Sequence, residues 1–268
     1  MSISPLCCKE ADLYKPPVQR LEKTMSGGGA APIPVSVVVP VKDEAGNVAP
    51  LAREIAAALK GEAHEILFVD DGSTDATAQT LSALKSEIPA LRVLRHTRNL
   101  GQSRGIRSGV MAAKGEIIVT LDGDGQNDPA DIPKLLAALR ADPQATMVSG
   151  VRVRRQDNAS RRLASRLGNG FRRAMLGDGA TDTGCGLKAF RRSTFLELPY
   201  FDHIHRFLIA LVQREGGKVA FVPVNHRQRL TGSSKYTNFG RLLVSVQDLL
   251  GVRWLQQRHG GRADIREL

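Results

Sequence analysis

The sequence has no long apolar run, and its beginning does not resemble a secretory signal. No stretch of roughly 18 consecutive apolar residues occurs along the 268 residues, so the sequence predicts no membrane-spanning helix. A basic region followed by a short apolar run, which marks a secretory signal, is also missing from the start of the chain. We therefore expect a cytoplasmic protein.

Cysteines and aromatic residues are also few. The three cysteines, Cys7, Cys8 and Cys185, fit neither a disulfide framework nor the spacing of a zinc site, which favours a reducing compartment. Aromatic residues make up 4% of the chain, and no nucleic-acid recognition motif accompanies them. We therefore expect no nucleic-acid partner.

Positive charge is the main excess of the sequence. Lysine and arginine total 38 against 27 acidic residues, a formal net charge of +11 that suits an anionic partner such as a phosphorylated substrate or a lipid surface. Many of the arginines fall in one short segment: Arg152, Arg154, Arg155, Arg161, Arg162, Arg166, Arg172 and Arg173. With these arginines, we expect peripheral contact with the anionic cytoplasmic face of a membrane.

The hydrophobic pattern divides the chain into a leader, one α/β domain and a short tail. Residues 1–34, rich in proline and glycine, are expected to be disordered, with Met25 as the expected natural start. Residues 35–258 alternate predicted strands and helices, which indicates a mostly parallel central sheet flanked by helices. They fall into two halves, 35–150 and 151–258, and residues 259–268 form the tail. The second half includes a helix predicted at 159–175 and another around His205–Glu215.

The last predicted helix, from Thr237 to about Arg258, is amphipathic. Its apolar stripe packs on the core or, alternatively, lies in a lipid interface, a location that Trp254 and the flanking arginines suit.

Acidic residues follow two of the predicted strands. Asp70 and Asp71 close one strand, and Asp122 and Asp124 follow another, at the edge where a parallel sheet presents its ligands. Carboxylates held close together repel each other unless a cation lies between them, and oxygen ligands favour Mg²⁺ or Mn²⁺ completed by substrate phosphates. The pattern predicts a site for a nucleoside diphosphate with its metal.

The acidic segment after the second of these strands matches neither an EF-hand nor a dehalogenase-type site. An EF-hand loop needs glycine and glutamate where Asn127 and Pro133 stand. A dehalogenase-type phosphotransferase has its Asp-x-Asp motif on the first strand, with threonine where Gln126 stands. A third alternative, that the acids only cap turns, stays open.

Four segments together resemble the successive signatures of family 2 glycosyltransferases of the GT-A fold: Val35–Glu44, Val69–Asp75, Asn99–Gln102 and Leu121–Pro129. Further segments are similar to the dolichol-phosphate mannosyltransferase-like and undecaprenyl-phosphate glycosyltransferase branch: Asp122-x-Asp124-x-Gln126, Gly150–Arg152, Thr183–Phe190 and Arg229–Tyr236. The resemblance extends from Val35 to about Arg258 and implies a GT-A nucleotide-diphospho-sugar transferase fold. It makes 35–150 the nucleotide-binding half and 151–258 the acceptor-binding half.

The resemblance also assigns roles to residues on the donor side. It implies that the nucleotide lies beside Pro40, Lys42 and Glu44, and that its base meets Asp70 or Asp71. Position 42 is commonly tyrosine or phenylalanine in the family. Lys42 departs from this pattern, so the resemblance does not imply a stacking contact with the base or ribose here. The implied metal ligands on the diphosphate are Asp122, Asp124 and Gln126, and a loop that closes over the donor carries Arg229, Ser234 and Lys235.

On the acceptor side, the resemblance implies that the acceptor phosphate meets Arg152 and one of Arg161 or Arg162, with Ser165 nearby. The expected reaction is inverting, metal-dependent transfer of a hexose-like sugar from GDP-mannose or a UDP-sugar to dolichyl or undecaprenyl phosphate. Asp124, Arg152, Arg229 and Lys235 are the expected catalytic residues. Cations stabilise the charge that grows on the leaving diphosphate, and a phosphate acceptor, already anionic, needs positioning rather than a general base.

Two alternatives remain open from the sequence. If the acceptor is a hydroxyl of a glycan or lipid, an acid such as Asp182 has to act as the base. A catalytically silent nucleotide-sugar-binding protein is the alternative from another class, although such a protein need not keep Asp122, Asp124 and the basic loop residues. The histidines His203, His205 and His226 are interpreted as structural or loop residues.

Overall fold

Strands rich in valine and isoleucine form the centre of the protein, a seven-stranded sheet. The computed structural model describes residues 34–153, 170–228 and 238–258, with the backbone alone for 238–244. The strands are β1 (Val35–Val41), β2 (His64–Asp70), β3 (Leu91–Arg95), β4 (Ile117–Thr120), β5 (Ala145–Arg152), β6 (Lys188–Arg191) and β7 (Lys218–Val224).

Helices connect these strands. They are α1 (Ala45–Ala58), α2 (Thr77–Leu84), α3 (Gln102–Ala112), α4 (Ile132–Ala141), α5 (described over 170–176), α6 (Arg192–Glu197), α7 (Leu208–Arg214) and α8 (Asn238–Gln257), with short 3₁₀ helices at Pro129–Asp131 and Ile204–Arg206. Within the described ranges, none of the helices is both long and apolar enough to cross a membrane.

Strand β1 is buried along its whole length because both faces of the sheet are covered. Val37 and Val39 belong to a hydrophobic cluster that includes Ile55 of α1, whereas Val38 belongs to a second cluster that includes Val110 of α3. Burial on both faces explains why the strand is an uninterrupted apolar run rather than an alternating one.

The order of the strands is β3-β2-β1-β4-β6-β5-β7, and every pairing is parallel except those of β6. The predicted α/β class and the mostly parallel sheet are confirmed. Strand β6 runs antiparallel between β4 and β5, so it separates two strands that the sequence pattern places in succession. Its pairing of Lys188 with Thr120 brings the segment before β6 to the carboxyl end of β4.

Element boundaries differ from the predicted ones at a few ends. The helix predicted around His205–Glu215 begins as the 3₁₀ turn, and α7 starts only at Leu208. The last helix is Asn238–Gln257, within two residues of the predicted span. The leader, the tail and most of the helix predicted at 159–175 lie outside the described residues.

Two glycines let α3 approach the sheet closely. A Cβ atom at Gly109 would lie 2.3 Å from Cγ1 of Val38 and 3.2 Å from Cγ2 of Val69. A Cβ atom at Gly105 would lie 2.9 Å from Cβ of Pro40. The close contact sets the position of the first turn of α3, whose Gln102 side chain reaches Asp122 beyond the end of β4.

This packing makes the Gly109→Ala substitution destabilising. Because the added methyl group meets a well-packed core, we expect the free energy of unfolding to fall by about 1–3 kcal/mol in urea titrations. The matched control is Gly251→Ala in α8, where a Cβ atom meets nothing within 4 Å and better helix propensity predicts a gain of about 0.5–1 kcal/mol. Equal stability of the two variants would show that α3 does not depend on this close approach.

Candidate functional site

The two acidic clusters lie at the same edge of the sheet. Strand β1 pairs in parallel with β2, which ends in Asp70, and with β4, which Asp122 follows. The carboxyl ends of all three strands therefore point to one side, as the sequence predicts.

Asp70 and Asp71 hold two turns of this edge together. Oδ1 of Asp70 accepts a hydrogen bond from the backbone N–H of Ser73 (2.9 Å), and its Oδ2 lies 3.2 Å from Nε of Arg95. Both oxygens of Asp71 accept backbone hydrogen bonds from Leu100 (2.9 Å) and Gly101 (2.7 Å). These buried carboxylates thus shape the turns, and their contact with a nucleotide base stays a prediction.

The residues after β1 contact the same turns. Lys42 donates a hydrogen bond from Nζ to the carbonyl oxygen of Gly72 (3.2 Å). The backbone N–H of Glu44 donates to Oγ1 of Thr77 (2.9 Å), which links the start of α1 to that of α2. Pro40 is buried in β1. The structure thus groups Pro40, Lys42 and Glu44 beside the Asp70–Asp71 turn.

Asp122 is surrounded by groups that partly offset its charge. Its Oδ1 accepts a hydrogen bond from Nε2 of Gln102 (2.7 Å), and its backbone N–H donates to Oδ1 of Asn127 (3.1 Å). Removal from solvent and the negative charge of Asp124 raise the pKa of Asp122, although Lys188 and Gln102 act in the opposite direction. Ionised Asp122 therefore favours an additional positive charge nearby.

The turn that carries Asp124 and Gln126 is fixed from both sides. The backbone N–H of Gln126 donates to Oδ1 of Asp124 (3.1 Å), and its carbonyl oxygen accepts from the backbone N–H of Arg227 (2.9 Å). The Arg227 guanidinium also joins Glu54 (2.5 Å) and Asp128 (2.6 Å). Within the described part of the chain, no group of three or more histidine, cysteine or acidic side chains is arranged to hold a metal ion.

Arg152, at the end of β5, forms a two-pronged ion pair with Asp182. Its Nε and NH2 lie 2.7 Å from Oδ2 and Oδ1 of that carboxylate, and its backbone N–H donates to Oδ2 (3.1 Å). Burial lowers the pKa of Arg152, but the hydrogen bonds and charge of Asp182 outweigh burial, so its pKa is raised. Both oxygens of Asp182 thus bind a permanent cation, which argues against Asp182 as a general base.

A cavity of about 140 Å³ opens beside Asp122. Besides Asp122, its polar lining residues are Gln102, Thr120, Thr183, Cys185, Lys188, His205 and Arg206. Gln102 and Lys188 lie in segments that carry the family resemblance, but the sequence alone gives neither side chain a role and leaves His205 as a structural residue. Spacing alone could not identify the cavity because its walls come from four separate parts of the chain.

The other predicted site residues lie outside the described residues. They are Arg161, Arg162 and Ser165 on the acceptor side and Arg229, Ser234 and Lys235 in the predicted donor loop.

Comparison with known proteins agrees with this geometry. The family model of glycosyl transferase family 2 matches residues 36–198. The undecaprenyl-phosphate 4-deoxy-4-formamido-L-arabinose transferase of Enterobacter sp. (strain 638) is 39% identical over 81% of this chain and 66% of its own length. The dodecaprenyl-phosphate galacturonate synthase of Rhizobium johnstonii is 34% identical over 83% of this chain and 67% of its own length. The chain thus spans about two-thirds of the length of these relatives.

Solved structures share the fold at low sequence identity. Mannosyl-3-phosphoglycerate synthase from Rubrobacter xylanophilus superposes with a TM-score of 0.67 at 19% identity, covering 88% of this chain and 77% of that one. Glucosyl-3-phosphoglycerate synthase from Mycobacterium tuberculosis, crystallised with Mn²⁺, UDP-glucose and glycerol 3-phosphate, gives 0.63 at 19% identity, with coverages of 90% and 88%. The expected fold and family are both confirmed: this chain belongs to glycosyl transferase family 2.

Proposed function

We propose that this chain transfers a hexose-like sugar, with inversion and with the help of a divalent metal, from a nucleoside-diphosphate sugar to a polyprenyl phosphate. The observation that carries the proposal is the placement of an acidic and a basic group on either side of one glycine-rich segment. A Cβ atom at Gly186 would lie 2.3 Å from Oδ2 of Asp122, and one at Gly184 would lie 2.9 Å from NH2 of Arg152. A metal-bound donor and an anionic acceptor can therefore be held side by side.

The donor side fits a metal that is completed by phosphate oxygens. Magnesium in proteins is usually bound through one or two carboxylates, several waters and substrate phosphates, a set that Asp122, Asp124 and the Gln126 amide match. When bound, the ion stabilises the negative charge that develops on the leaving diphosphate. Asp122 and Asp124 would hold this ion, and with it the diphosphate, at the end of β4. The proposed cofactor is Mg²⁺ or Mn²⁺, and the proposed donor is GDP-mannose or a UDP-sugar.

The acceptor side fits a phosphate better than a hydroxyl. A lipid phosphate is already anionic at neutral pH, so it needs a cation that positions it against another anion rather than a base. Arg152 supplies such a cation, and the Asp182 carboxylate, the candidate base for a hydroxyl acceptor, holds its guanidinium in place. The two named relatives act on undecaprenyl and dodecaprenyl phosphates, which supports the same acceptor class here.

The remaining predicted residues keep their proposed roles by resemblance. Arg161 or Arg162 joins Arg152 at the acceptor phosphate, with Ser165 nearby. The donor loop contributes Arg229, Ser234 and Lys235. In this scheme 35–150 is the nucleotide-binding half and 151–258 the acceptor-binding half, although β6 of the second half lies inside the shared sheet.

We also propose peripheral contact with the anionic cytoplasmic face of a membrane, through α8. The apolar stripe of this helix divides in two: Leu249 and Val252 are buried in the core, whereas Val246, Leu250 and Trp254 are 43%, 54% and 56% exposed. The guanidinium of Arg258 lies 6.0 Å from the Trp254 ring centre. An aromatic and aliphatic strip bordered by arginine suits the headgroup boundary, where the lipid acceptor would be presented.

The proposed reaction is tested by transfer from radiolabelled GDP-mannose and UDP-glucose to a short polyprenyl phosphate. Product should form only with Mg²⁺ or Mn²⁺. Asp124→Asn should lower the rate by about a hundredfold or more, because it removes charge that holds the metal and diphosphate. Arg152→Ala should abolish lipid product while nucleotide-sugar binding persists.

Matched controls are Asp142→Asn and Arg53→Ala, which remove surface ion pairs with Lys218 and Glu87 and should leave transfer unchanged. Donor hydrolysis without lipid product, with Arg152→Ala behaving as the wild type does, would contradict the phosphate acceptor and indicate that the acceptor is a hydroxyl group.

The membrane contact is tested by sedimentation with vesicles rich in phosphatidylglycerol at low salt. Leu250→Gln and Trp254→Ala should each weaken binding several-fold, because each removes apolar surface from the proposed interface. Leu196→Gln on α6, at a side chain that is 39% exposed, serves as the control and should bind as the wild type does. A wild type that stays in the supernatant, or equal binding by all variants, contradicts this role of α8.

A further inference from the structure

The cavity beside Asp122 contains a histidine that α3 holds in place. Nδ1 of His205 lies 2.7 Å from Oγ of Ser103, a fully buried side chain in the first turn of α3. The residue before it, Gln102, donates its amide to Asp122. Two consecutive side chains of α3 thus fix the Asp122 carboxylate and the His205 ring in the same cavity.

The ring of His205 is uncharged at neutral pH. Removal from solvent, together with the nearby positive charges of Lys188 and Arg206, lowers its pKa to about 3. A neutral imidazole has one nitrogen that donates and one that accepts. Because Nδ1 contacts Ser103, either tautomer leaves Nε2 as the ring atom able to form a hydrogen bond with a molecule in the cavity. A polar and uncharged contact of this kind suits a hydroxyl group better than a phosphate.

The cavity has room for part of an organic ligand. One water molecule needs roughly 10–15 Å³ by the same measure, about a tenth of the volume found here. Its lining offers donors and acceptors from Gln102, Thr183 and Lys188 beside the apolar walls of Ile106 and Leu208. The donor's sugar is bonded to the diphosphate that Asp122 and Asp124 are proposed to hold, and Asp122 lines this cavity, so a donor held there would bring its sugar ring next to this space.

We propose that His205 binds a hydroxyl group of the donor's sugar ring and that Ser103 positions the imidazole for this contact. The inference rests on the proposed function and adds to it a residue that selects the sugar. Sites that form a hydrogen bond to a substrate hydroxyl discriminate strongly against ligands without it, because the buried polar group is then left unpaired. His205 is therefore a specificity residue for the donor, and it takes no part in proton transfer.

A neighbouring histidine provides the matched control. His203 lies two residues earlier, and its Nδ1 contacts Oδ2 of Asp248 in α8 at 2.9 Å. It is not among the residues that line the cavity. A substitution at His203 removes a histidine of the same segment without removing the proposed sugar contact.

The experiment compares the dissociation constants of UDP-glucose and UDP, and of GDP-mannose and GDP, by calorimetry in Mg²⁺. The pair of ligands used is the one that the wild type binds more tightly. For this pair, His205→Phe should raise the ratio of the sugar nucleotide's dissociation constant to that of the diphosphate about fivefold, because one hydrogen bond to the sugar is lost. The diphosphate constant itself should not change. His205→Gln, whose amide can replace Nε2, should restore part of the ratio, and His203→Phe should leave it unchanged.

Ser103→Ala provides a second variant that keeps the imidazole, and it should shift the ratio in the same direction by a smaller factor. Thermal unfolding checks that each variant is folded. The inference is overturned if His205→Phe weakens both ligands equally, or if His203→Phe changes the ratio as much. A wild type that binds neither pair overturns the proposed function itself, and this inference with it.

Discussion

Negative charge at the end of β4 is the constraint around which the site is built. Asp122 is partly withdrawn from water and lies near Asp124, and both conditions raise its pKa. The Gln102 amide and the positive charges of Lys188 and Arg152 lower the pKa of Asp122 and so partly offset this effect. These groups compensate for one carboxylate more readily than for two, and the proposed divalent ion would complete the balance.

The topology of the sheet places those compensating groups beside Asp122. Because β6 runs antiparallel between β4 and β5, the segment before it passes directly between Asp122 and Arg152, and Lys188 enters the cavity from its first position. Close packing of α3 against the sheet, through Gly105 and Gly109, brings Gln102 to the same place from the other side. A single fold thus places the proposed donor and acceptor sites next to each other.

Much of this arrangement could be predicted from local sequence. Uninterrupted apolar runs such as Val35–Val41 identify buried strands, and acids directly after such runs must lie at the carboxyl edge. The position of β6 could not be predicted, because pairing between strands distant in sequence depends on the whole chain. For the same reason, the sequence does not predict the ion pair of Arg152 with Asp182 or the contact of His205 with Ser103. These contacts join residues 30 and 102 positions apart.

The central claim, that Asp122 and Asp124 hold a nucleoside diphosphate through a divalent ion, is tested most directly by equilibrium binding. UDP and GDP are titrated into the protein with Mg²⁺ or Mn²⁺ and again in EDTA, for the wild type and for Asp122→Asn. We predict that at least one nucleotide binds about tenfold or more tightly with the metal, and that the substitution removes this gain. Equal affinity with and without metal would contradict the claim.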